Sequence, residues 1–263
     1  SLPSRGLGDV YKRQTHDHLL KEAVRITQPV DGYRVGTDAV LLAASVSTDH
    51  GRILDMGAGV GGVALCIAHR LAGVQITAVE KDTDIAELAD INITDNGFSS
   101  RIRLIKGDVT AMPAVLAASF DHVVSNPPYH DVRGTRPRNR ARALAHMGED
   151  TSLEDWVKAA IWAAKPRARI SFICRADRSA ELITLFETHG AGETLICPLW
   201  PRHASPAGRV IIQVRSGVEG PGAILPGLVM HNDNGGFTEM ASRIMAGDAL
   251  FIIHPARPQV APN

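Results

Sequence analysis

The stretch ILDMGAGVGG at residues 53–62 joins a short apolar run directly to a glycine-rich segment. Apolar residues resume at helical spacing over 63–71, so the stretch predicts a strand, a tight turn and a helix. Glycine lets the backbone adopt positive φ and approach a ligand closely. The spacing of Gly57, Gly59 and Gly62 satisfies the pattern G-x-G-x-x-G, which alone does not separate NAD from other adenosyl ligands.

Strand-like and helix-like runs alternate along the rest of the chain, which predicts an α/β fold with a parallel sheet. The first five predicted strands are 53–56, 75–79, 102–105, 122–125 and 168–174. Predicted helices span 63–71, 83–96, 153–164 and about 178–189. Two further strands at 194–199 and 209–214 are separated by a short connection, so we expect an antiparallel hairpin at the end of the sheet.

Composition limits the classes of function. Lys and Arg number 28, as do Asp and Glu, so a nucleic-acid partner would have to be held by a local patch. No apolar run is long enough to cross a bilayer, and we expect no membrane association. Cys66, Cys174 and Cys197 are far apart in apolar contexts without metal-ligand spacing. They predict buried thiols in a reducing cytoplasm and no metal centre.

Acidic residues follow the predicted strands at the edge where parallel sheets bind ligands. Glu80 ends the second strand, where an acid can bind ribose hydroxyls, and Asp108 follows the third strand, just before Val109. Asp55 precedes the glycines and favours S-adenosylmethionine over NAD, because a carboxylate attracts a cationic amino group and repels a pyrophosphate. The structural alternatives are a loop cap for Asp55, a solvated acid for Glu80 and a turn or helix cap for Asp108.

The turn Asn126-Pro127-Pro128-Tyr129 follows the fourth strand. Each proline fixes φ and removes an N–H group, so the turn is stiff. The Asn126 side-chain oxygen and the Pro127 carbonyl are then two acceptors, which suit a planar NH₂ group with two hydrogens. Tyr129 offers a flat face on which an extruded base can stack. The alternative is a turn without a catalytic role.

Taken in order, the glycine loop, Glu80, Asp108 and the Asn126 turn resemble class I S-adenosylmethionine-dependent methyltransferases that act on amino groups. Four further segments resemble the bacterial valine-tRNA adenine-N6 methyltransferase family: GTDAVLL at 36–42, PLWPR at 198–202, PAGRV at 206–210 and GFTE at 236–239. The resemblance extends over about 27–247, the cofactor motifs being specific to the superfamily and the outer segments to the narrower family.

This resemblance implies a Rossmann-like, seven-stranded, mostly parallel sheet with one antiparallel strand, in a C-terminal hairpin. It implies S-adenosyl-L-methionine as cofactor and methylation of the exocyclic N6 amine of an adenine in tRNA, next to the anticodon. The implied catalytic residues are Asn126, Pro127 and Tyr129. The implied cofactor site consists of Thr37, Asp38, Asp55, Gly57, Gly59, Glu80, Asp108, Val109 and Asn126. Thr37 and Asp38 would lie over the methionine end of the cofactor, although a capped helix start is the alternative.

The domain organisation follows from the same comparison. Residues 1–14 have no period and resemble the translation of a sequencing-adapter end, so we expect a non-native segment. Residues 15–49 are expected to form an N-terminal extension that packs on the cofactor site, and 50–216 the methyltransferase core. Residues 217–263 are expected to form a C-terminal extension and tail, and the Gly- and Pro-rich segment 216–227 to be a surface loop.

A basic stretch follows the Asn126 turn and predicts an RNA contact. It contains Arg133, Arg136, Arg138, Arg140 and Arg142, and Arg202 in the hairpin connection extends the patch. The alternative is a solvated charged loop. The expected partner is tRNA, bound by a monomer or a homodimer.

Other functions fit parts of the pattern. Ribosomal-RNA guanine-N2 and protein-glutamine N5 methyltransferases also act on a planar NH₂ group, so the Asn126 turn does not separate them. The sequence contains no helical domain before the core, which the protein-glutamine enzymes carry. An NAD-dependent oxidoreductase leaves Asp55 and the Asn126 turn unexplained. A catalytically inactive RNA-binding protein is the last alternative.

Overall fold

The computed structural model describes residues 14–30, 34–128, 151–250 and 252. Residues 1–13 of the segment predicted to be non-native lie outside this range, and Gln14 begins the first strand. The strands are β1 Gln14–Leu19, β2 Val24–Pro29, β3 Gly51–Met56, β4 Val74–Glu80, β5 Ile102–Lys106, β6 Phe120–Ser125, β7 Ala164–Arg175, β8 Ala191–Arg202, β9 Arg209–Ser216, β10 Ala223–Ile224 and β11 Leu228–His231. The helices are α1 Thr37–Ala44, α2 Gly62–Arg70, α3 Thr83–Asp95, α4 Leu153–Ala163, α5 Ser179–Thr188 and α6 Glu239–Ile244.

A twisted central sheet has the strand order β8-β9-β7-β6-β3-β4-β5. All of these strands run parallel except β9, which pairs antiparallel with both β7 and β8. The predicted Rossmann-like fold with a C-terminal antiparallel hairpin is therefore confirmed. The chain reverses its order between β6 and β3, which is the point where open α/β sheets form a ligand crevice at their carboxyl edge.

Two short strands extend the sheet beyond the predicted seven. β10 and β11 both pair parallel with β8 and make this a nine-stranded sheet. The prediction of a surface loop at 216–227 was wrong in part, because β10 lies within that segment. Strands this short carry too little alternation to be read from sequence, and the exposed edge of β8 supplies their hydrogen bonds.

Two apolar layers cover the sheet. Helices α1, α2 and α3 contribute to one buried cluster and α4 and α5 to the other. Successive residues of β3 alternate between them: Ile53 belongs to the first cluster and Leu54 to the second. This alternation follows from the two-residue period of a strand. It leaves the carboxyl edge of the sheet, between the two layers, for the site.

The β1–β2 hairpin is anchored by a buried asparagine of α3. Asn92 Oδ1 accepts a hydrogen bond from Thr27 N at 2.7 Å, and Nδ2 donates to Thr27 O and Val60 O, both at 2.9 Å. One side chain thus connects the N-terminal hairpin, α3 and the loop after β3. One helical turn on, the half-buried Asn96 makes the same pair of bonds to Arg25, at 2.9 and 2.8 Å, and these two bonds are exposed to solvent.

We predict that Asn92→Ala destabilises the protein by about 2–4 kcal/mol, because it leaves buried backbone groups of Thr27 and Val60 without partners. Asn96→Ala is the matched control. Water replaces its bonds to Arg25, so its cost should be about 0.5–1.5 kcal/mol. Urea unfolding of both variants measures the difference, and equal losses would contradict the anchoring role of Asn92.

Candidate functional site

The glycine loop after β3 turns sharply at the carboxyl edge of the sheet. Gly57 and Gly59 have φ of +69° and +57°, values that favour glycine. The Gly57 and Ala58 amides both donate to Val79 O of β4, at 2.9 and 3.0 Å. A Cβ on Gly57 would lie 2.5 Å from Cη2 of Trp156, whereas a Cβ on Gly59 would meet no described atom within 4 Å. The loop therefore packs on one side and is open at Gly59.

Asp55 is buried below this loop, with 1% of its surface exposed. Its Oδ2 accepts a hydrogen bond from Ala64 N of α2 at 3.1 Å. Helix α2 begins after Gly61, which provides no side-chain cap, so Asp55 satisfies an amide of the first turn from another element. Burial raises the pKa of the Asp55 carboxyl to about 7, although the bond from Ala64 opposes the shift. The carboxylate thus braces the start of α2.

Glu80 at the end of β4 holds the open part of the loop. Its Oε2 accepts from Gly59 N at 2.8 Å, and Oε1 accepts from Asp82 N at 2.9 Å. Burial raises the pKa of Glu80 against both of these bonds. Each carboxylate oxygen has two acceptor sites, so a ribose hydroxyl can bind the carboxylate without displacing either amide.

Asp108 lies at the end of β5 and caps a short 3₁₀ turn that begins with the buried Val109. Its Oδ1 accepts from the backbone and the hydroxyl of Thr110, at 2.9 and 2.8 Å. Its Oδ2 lies 2.7 Å from Lys81 Nζ. Burial alone would raise the pKa of Asp108, but these donors outweigh burial and lower it. The Asp108 carboxylate therefore carries a negative charge at the carboxyl edge of the sheet. Its position at the start of the 3₁₀ turn also agrees with the alternative of a turn or helix cap.

The Asn126 turn lies beside the glycine loop because of strand register. Met56 of β3 pairs with Ser125 of β6, so the residues that follow them, Gly57 and Asn126, emerge on neighbouring strands. Neighbouring strands are about 4.8 Å apart. Ser125 Oγ donates to Met56 O at 2.8 Å and fixes the two strand ends together. The turn continues into Pro127, which is buried.

The start of α1 lies over the same loop. Gln28 of β2 accepts from Val35 N at 2.8 Å, and a Cβ on Gly62 would lie 2.5 Å from Val35 Cγ1. Thr37 begins the helix and is exposed. Gly36 occupies the cap position without a side-chain bond, so Thr37 is the first helical residue and not the cap.

Two residues that sequence reasoning missed join this site. Arg209 of β9 pairs with Asp38 of α1 at 3.0 Å and connects the N-terminal helix to the far strands of the sheet. Trp156 of α4 packs on Gly57, and its buried Nε1 has no hydrogen-bond partner among the described residues. No role was predicted for Trp156 from the sequence. Only the Arg209 segment carried a signal, through its resemblance.

Several predicted residues lie outside the part of the chain that the structure describes. They are Tyr129, Arg133, Arg136, Arg138, Arg140 and Arg142. Arg202 is described: it is exposed at the end of β8, on the same edge of the sheet as Ser125. The structure thus brings together Asp55, Gly57, Gly59, Glu80 and Asn126, with Asp108 and Val109 at the adjacent strand end.

Other predicted properties concern the whole chain. Cys66, Cys174 and Cys197 are buried free thiols, as predicted. Within the described ranges, no three His, Cys, Asp or Glu side chains are grouped as metal ligands. None of the described helices is both long and apolar enough to cross a membrane.

Comparisons with known proteins identify relatives of this chain. Residues 32–149 match the methyltransferase small domain family. The tRNA1(Val) (adenine(37)-N6)-methyltransferase of Haemophilus influenzae strain PittEE is 36% identical over 160 residues, which are 60% of this chain and 68% of that protein. The same enzyme of Actinobacillus pleuropneumoniae serotype 7 is 32% identical over 181 residues, 68% of this chain and 75% of that protein.

Solved structures share the fold. A predicted O-methyltransferase from Agrobacterium tumefaciens has a TM-score of 0.68 at 29% identity, covering 81% of this chain and 98% of that chain. M. jannaschii TYW2 in complex with AdoMet has a TM-score of 0.54 at 14% identity, covering 77% of this chain and 85% of that chain. The second likeness concerns the fold alone.

The buried Asp55 predicts a pH-dependent stability. The folded protein holds the Asp55 proton up to about pH 7, whereas the ordinary pKa is 3.8. The stability from this group is therefore complete below the ordinary pKa and is lost as the pH rises through about 7. In Asp55→Asn, the free energy of unfolding should fall less between about pH 5 and about pH 8 than in the wild type.

Urea unfolding at the two pH values measures this difference. Asp90→Asn, at an exposed position of α3, is the control and should keep the wild-type pH dependence. An unchanged pH dependence in Asp55→Asn would show that the Asp55 carboxyl does not titrate in this range.

Proposed function

Since the chain belongs to the family of the tRNA1(Val) (adenine(37)-N6)-methyltransferases, we propose that it transfers a methyl group from S-adenosyl-L-methionine to the exocyclic N6 amine of an adenine in tRNA, near the anticodon. The observation that carries the proposal is the register of Met56 with Ser125. It sets the acceptor turn at Asn126 directly beside the glycine loop, on the rim where Glu80 and Asp108 end their strands.

The residues present fit S-adenosylmethionine. Gly59 has open space where a side chain would be, and Glu80 keeps acceptor capacity for ribose hydroxyls. The buried Nε1 of Trp156, beside Gly57, is an N–H donor that no other described residue pairs with. Asp108 and Val109 would flank the adenine end, and Thr37 and Asp38 the methionine end. When bound, the cofactor supplies a methyl group activated by its sulfonium.

Asp55 contributes to this site indirectly. Its carboxylate is buried and accepts from Ala64 N, so it sets the position of the glycine loop and the start of α2. A cationic amino group nearby would favour the ionised carboxylate. We therefore propose that Asp55 is part of the network around the amino end of the cofactor.

Asn126 and Pro127 would act on the target amine. The lone pair of an exocyclic adenine amine is delocalised into the ring, so the amine is a weak nucleophile. Accepting both of its hydrogens, at Asn126 Oδ1 and the Pro127 carbonyl, favours a pyramidal nitrogen and stabilises the positive charge that develops there. The rigid strand ends align the nitrogen, and one proton leaves to water after the transfer. Tyr129 would stack on the extruded base.

The same two acceptors favour nitrogen over oxygen as the methyl acceptor. A hydroxyl group has one hydrogen to donate and would leave one acceptor unused, whereas an NH₂ group satisfies both. Guanine N2 and glutamine N5 amines also satisfy both, so the choice of adenine follows from the family.

For the RNA contact, we propose the five arginines of 133–142 together with Arg202. We further propose a cytoplasmic enzyme that acts as a monomer or a homodimer.

The direct test is transfer of labelled methyl from S-adenosylmethionine to three acceptors: tRNA transcribed without modifications, ribosomal RNA and a translation release factor. We expect label in tRNA, and nucleoside digestion should identify it as N6-methyladenosine. Label in ribosomal RNA or in the release factor instead would show that tRNA is not the substrate, although methyl transfer to an NH₂ group would still hold. Tight cofactor binding without any transfer would contradict the proposal.

Asn126→Ala should reduce turnover by about 10²–10³-fold, because one acceptor of the amine is lost. Its affinity for S-adenosylmethionine should change little.

Glu80→Gln should show the opposite pattern. A glutamine side chain offers one oxygen for the amides of Gly59 and Asp82, so the glycine loop should loosen and cofactor affinity should fall.

Calorimetry with the cofactor and single-turnover kinetics at saturating tRNA separate the two effects. Wild-type turnover in Asn126→Ala would show that the Asn126 side chain is not an acceptor for the amine. Wild-type cofactor affinity in Glu80→Gln would show that the loop does not depend on this carboxylate.

A further inference from the structure

A second group of side chains reaches the same edge of the sheet where β8 and β11 end. β11 pairs parallel with β8, and His231 is the register partner of Arg202. β8 is antiparallel to β9, which is antiparallel to β7, and β7 is parallel to β6. β8 and β11 therefore run in the same direction as β6. Arg202 and His231 therefore project beyond the edge of the sheet at which β6 ends in Ser125.

Two aromatic rings are stacked at this position. The rings of His231 and Phe237 have centroids 5.0 Å apart and an interplanar angle of 22°. Phe237 is 41% exposed, so part of its ring is accessible to a ligand. The residues between them form a polar turn with the sequence NDNGG at 232–236. A phenyl ring is thus presented to solvent at the rim.

The backbone holds these rings in place. His231 and Phe237 form an antiparallel bridge, and Asn232 N donates to Gly236 O at 2.8 Å. Asn232 Nδ2 donates to Phe237 O at 3.0 Å, and His231 Nδ1 lies 3.2 Å from Pro201 O. These hydrogen bonds fix the backbone around both rings without a ligand. A fixed, exposed ring loses little conformational entropy when a flat ligand stacks on it.

Charges around the rings favour RNA over a wholly apolar partner. Arg202 and His203 are exposed beside them, and within the described part of the chain no carboxylate pairs with Arg202. A guanidinium can bind a phosphate or stack on a base. The turn also carries Asp233, whose carboxylate opposes phosphate. Stacking, supported by the Arg202 guanidinium, is thus the interaction that this surface offers.

The distance from the target site is suitable for one substrate. Four strand steps separate β6 from β11, through β7, β9 and β8. At about 4.8 Å a step, the separation across the strands is about 19 Å. Along the strands, Ser125 is level with Ile196 of β8. Arg202 follows Ile196 by six residues, which adds about 20 Å at about 3.3 Å a residue. The two components together give about 28 Å, or about eight stacked nucleotides at about 3.4 Å each. The rings lie too far away to contact the target base, but within reach of the RNA around it.

We propose that His231, Phe237 and Arg202 form a ring platform that stacks an unpaired base of the RNA substrate, several nucleotides from the methylated adenine. This inference rests on the proposed function and names a second contact for the same substrate. Sequence-specific RNA recognition commonly uses unpaired bases of this kind, splayed onto aromatic rings and guanidinium groups.

The test measures RNA affinity separately from catalysis. We expect Phe237→Ala to weaken binding of an unmodified tRNA transcript about 5- to 100-fold, with a parallel rise in KM for tRNA. Affinity for S-adenosylmethionine and single-turnover rate at saturating tRNA should stay at wild-type values. Phe237→Tyr keeps the ring and should retain affinity. Met240→Ala is the control, because Met240 is an apolar residue of α6 that is 60% exposed and lies outside the platform.

Wild-type tRNA affinity in Phe237→Ala would overturn the platform, as would an equal loss in Met240→Ala. Phe237→Leu covers the case in which the alanine variant unfolds: it keeps apolar bulk without a ring, and should melt like the wild type and bind like the alanine variant. If the wild-type protein methylates no tRNA, the proposed function fails. If it methylates tRNA and these variants bind tRNA normally, the platform alone fails.

Discussion

The site depends on two carboxylates that hold the backbone of one glycine loop. Asp55 accepts from Ala64 N, and Glu80 accepts from Gly59 N. Removing these carboxylates from water is unfavourable, and burial raises the pKa of both. The cost is offset by backbone amides that would otherwise lack partners at the start of α2 and in the loop. The loop is thus fixed to the ends of β3 and β4 before a ligand binds.

The turn at Asn126 is held in place by the same sheet. Ser125 Oγ donates to Met56 O, so the end of β6 is tied to the residue that precedes the glycine loop. The turn at Asn126, proposed to accept the amine, and the rim proposed for the cofactor therefore share one frame of backbone hydrogen bonds. Methyl transfer requires a linear arrangement of nitrogen, carbon and sulfur, and strand ends achieve such alignment better than mobile loops.

Local patterns predicted the core of this architecture, because each strand and helix of the core carries its own period. The acids at the strand ends also followed from position alone, since parallel strands place their carboxyl ends on one edge. The β1–β2 hairpin and the strands β10 and β11 did not follow. They are stabilised by partners far away in sequence, such as Asn92 for β2 and the edge of β8 for β11. The role of Trp156 depends on its contact with Gly57, which no local pattern reveals.

Because the chain has zero net charge, its affinity for RNA depends on local contacts. A chain with 28 basic and 28 acidic residues gains little from its overall field when it approaches a polyanion. Most non-specific affinity for nucleic acids comes from phosphate neutralisation, and in a chain of zero net charge only a local basic patch can supply it. Features that only some RNAs present, such as unpaired bases that stack on fixed rings, would then add affinity that depends on the RNA. Stacking is less sensitive to salt than phosphate contacts are. It also requires an unpaired base, which an RNA loop presents and a duplex does not. The proposed ring platform would therefore suit an enzyme of zero net charge that selects an RNA loop over a duplex.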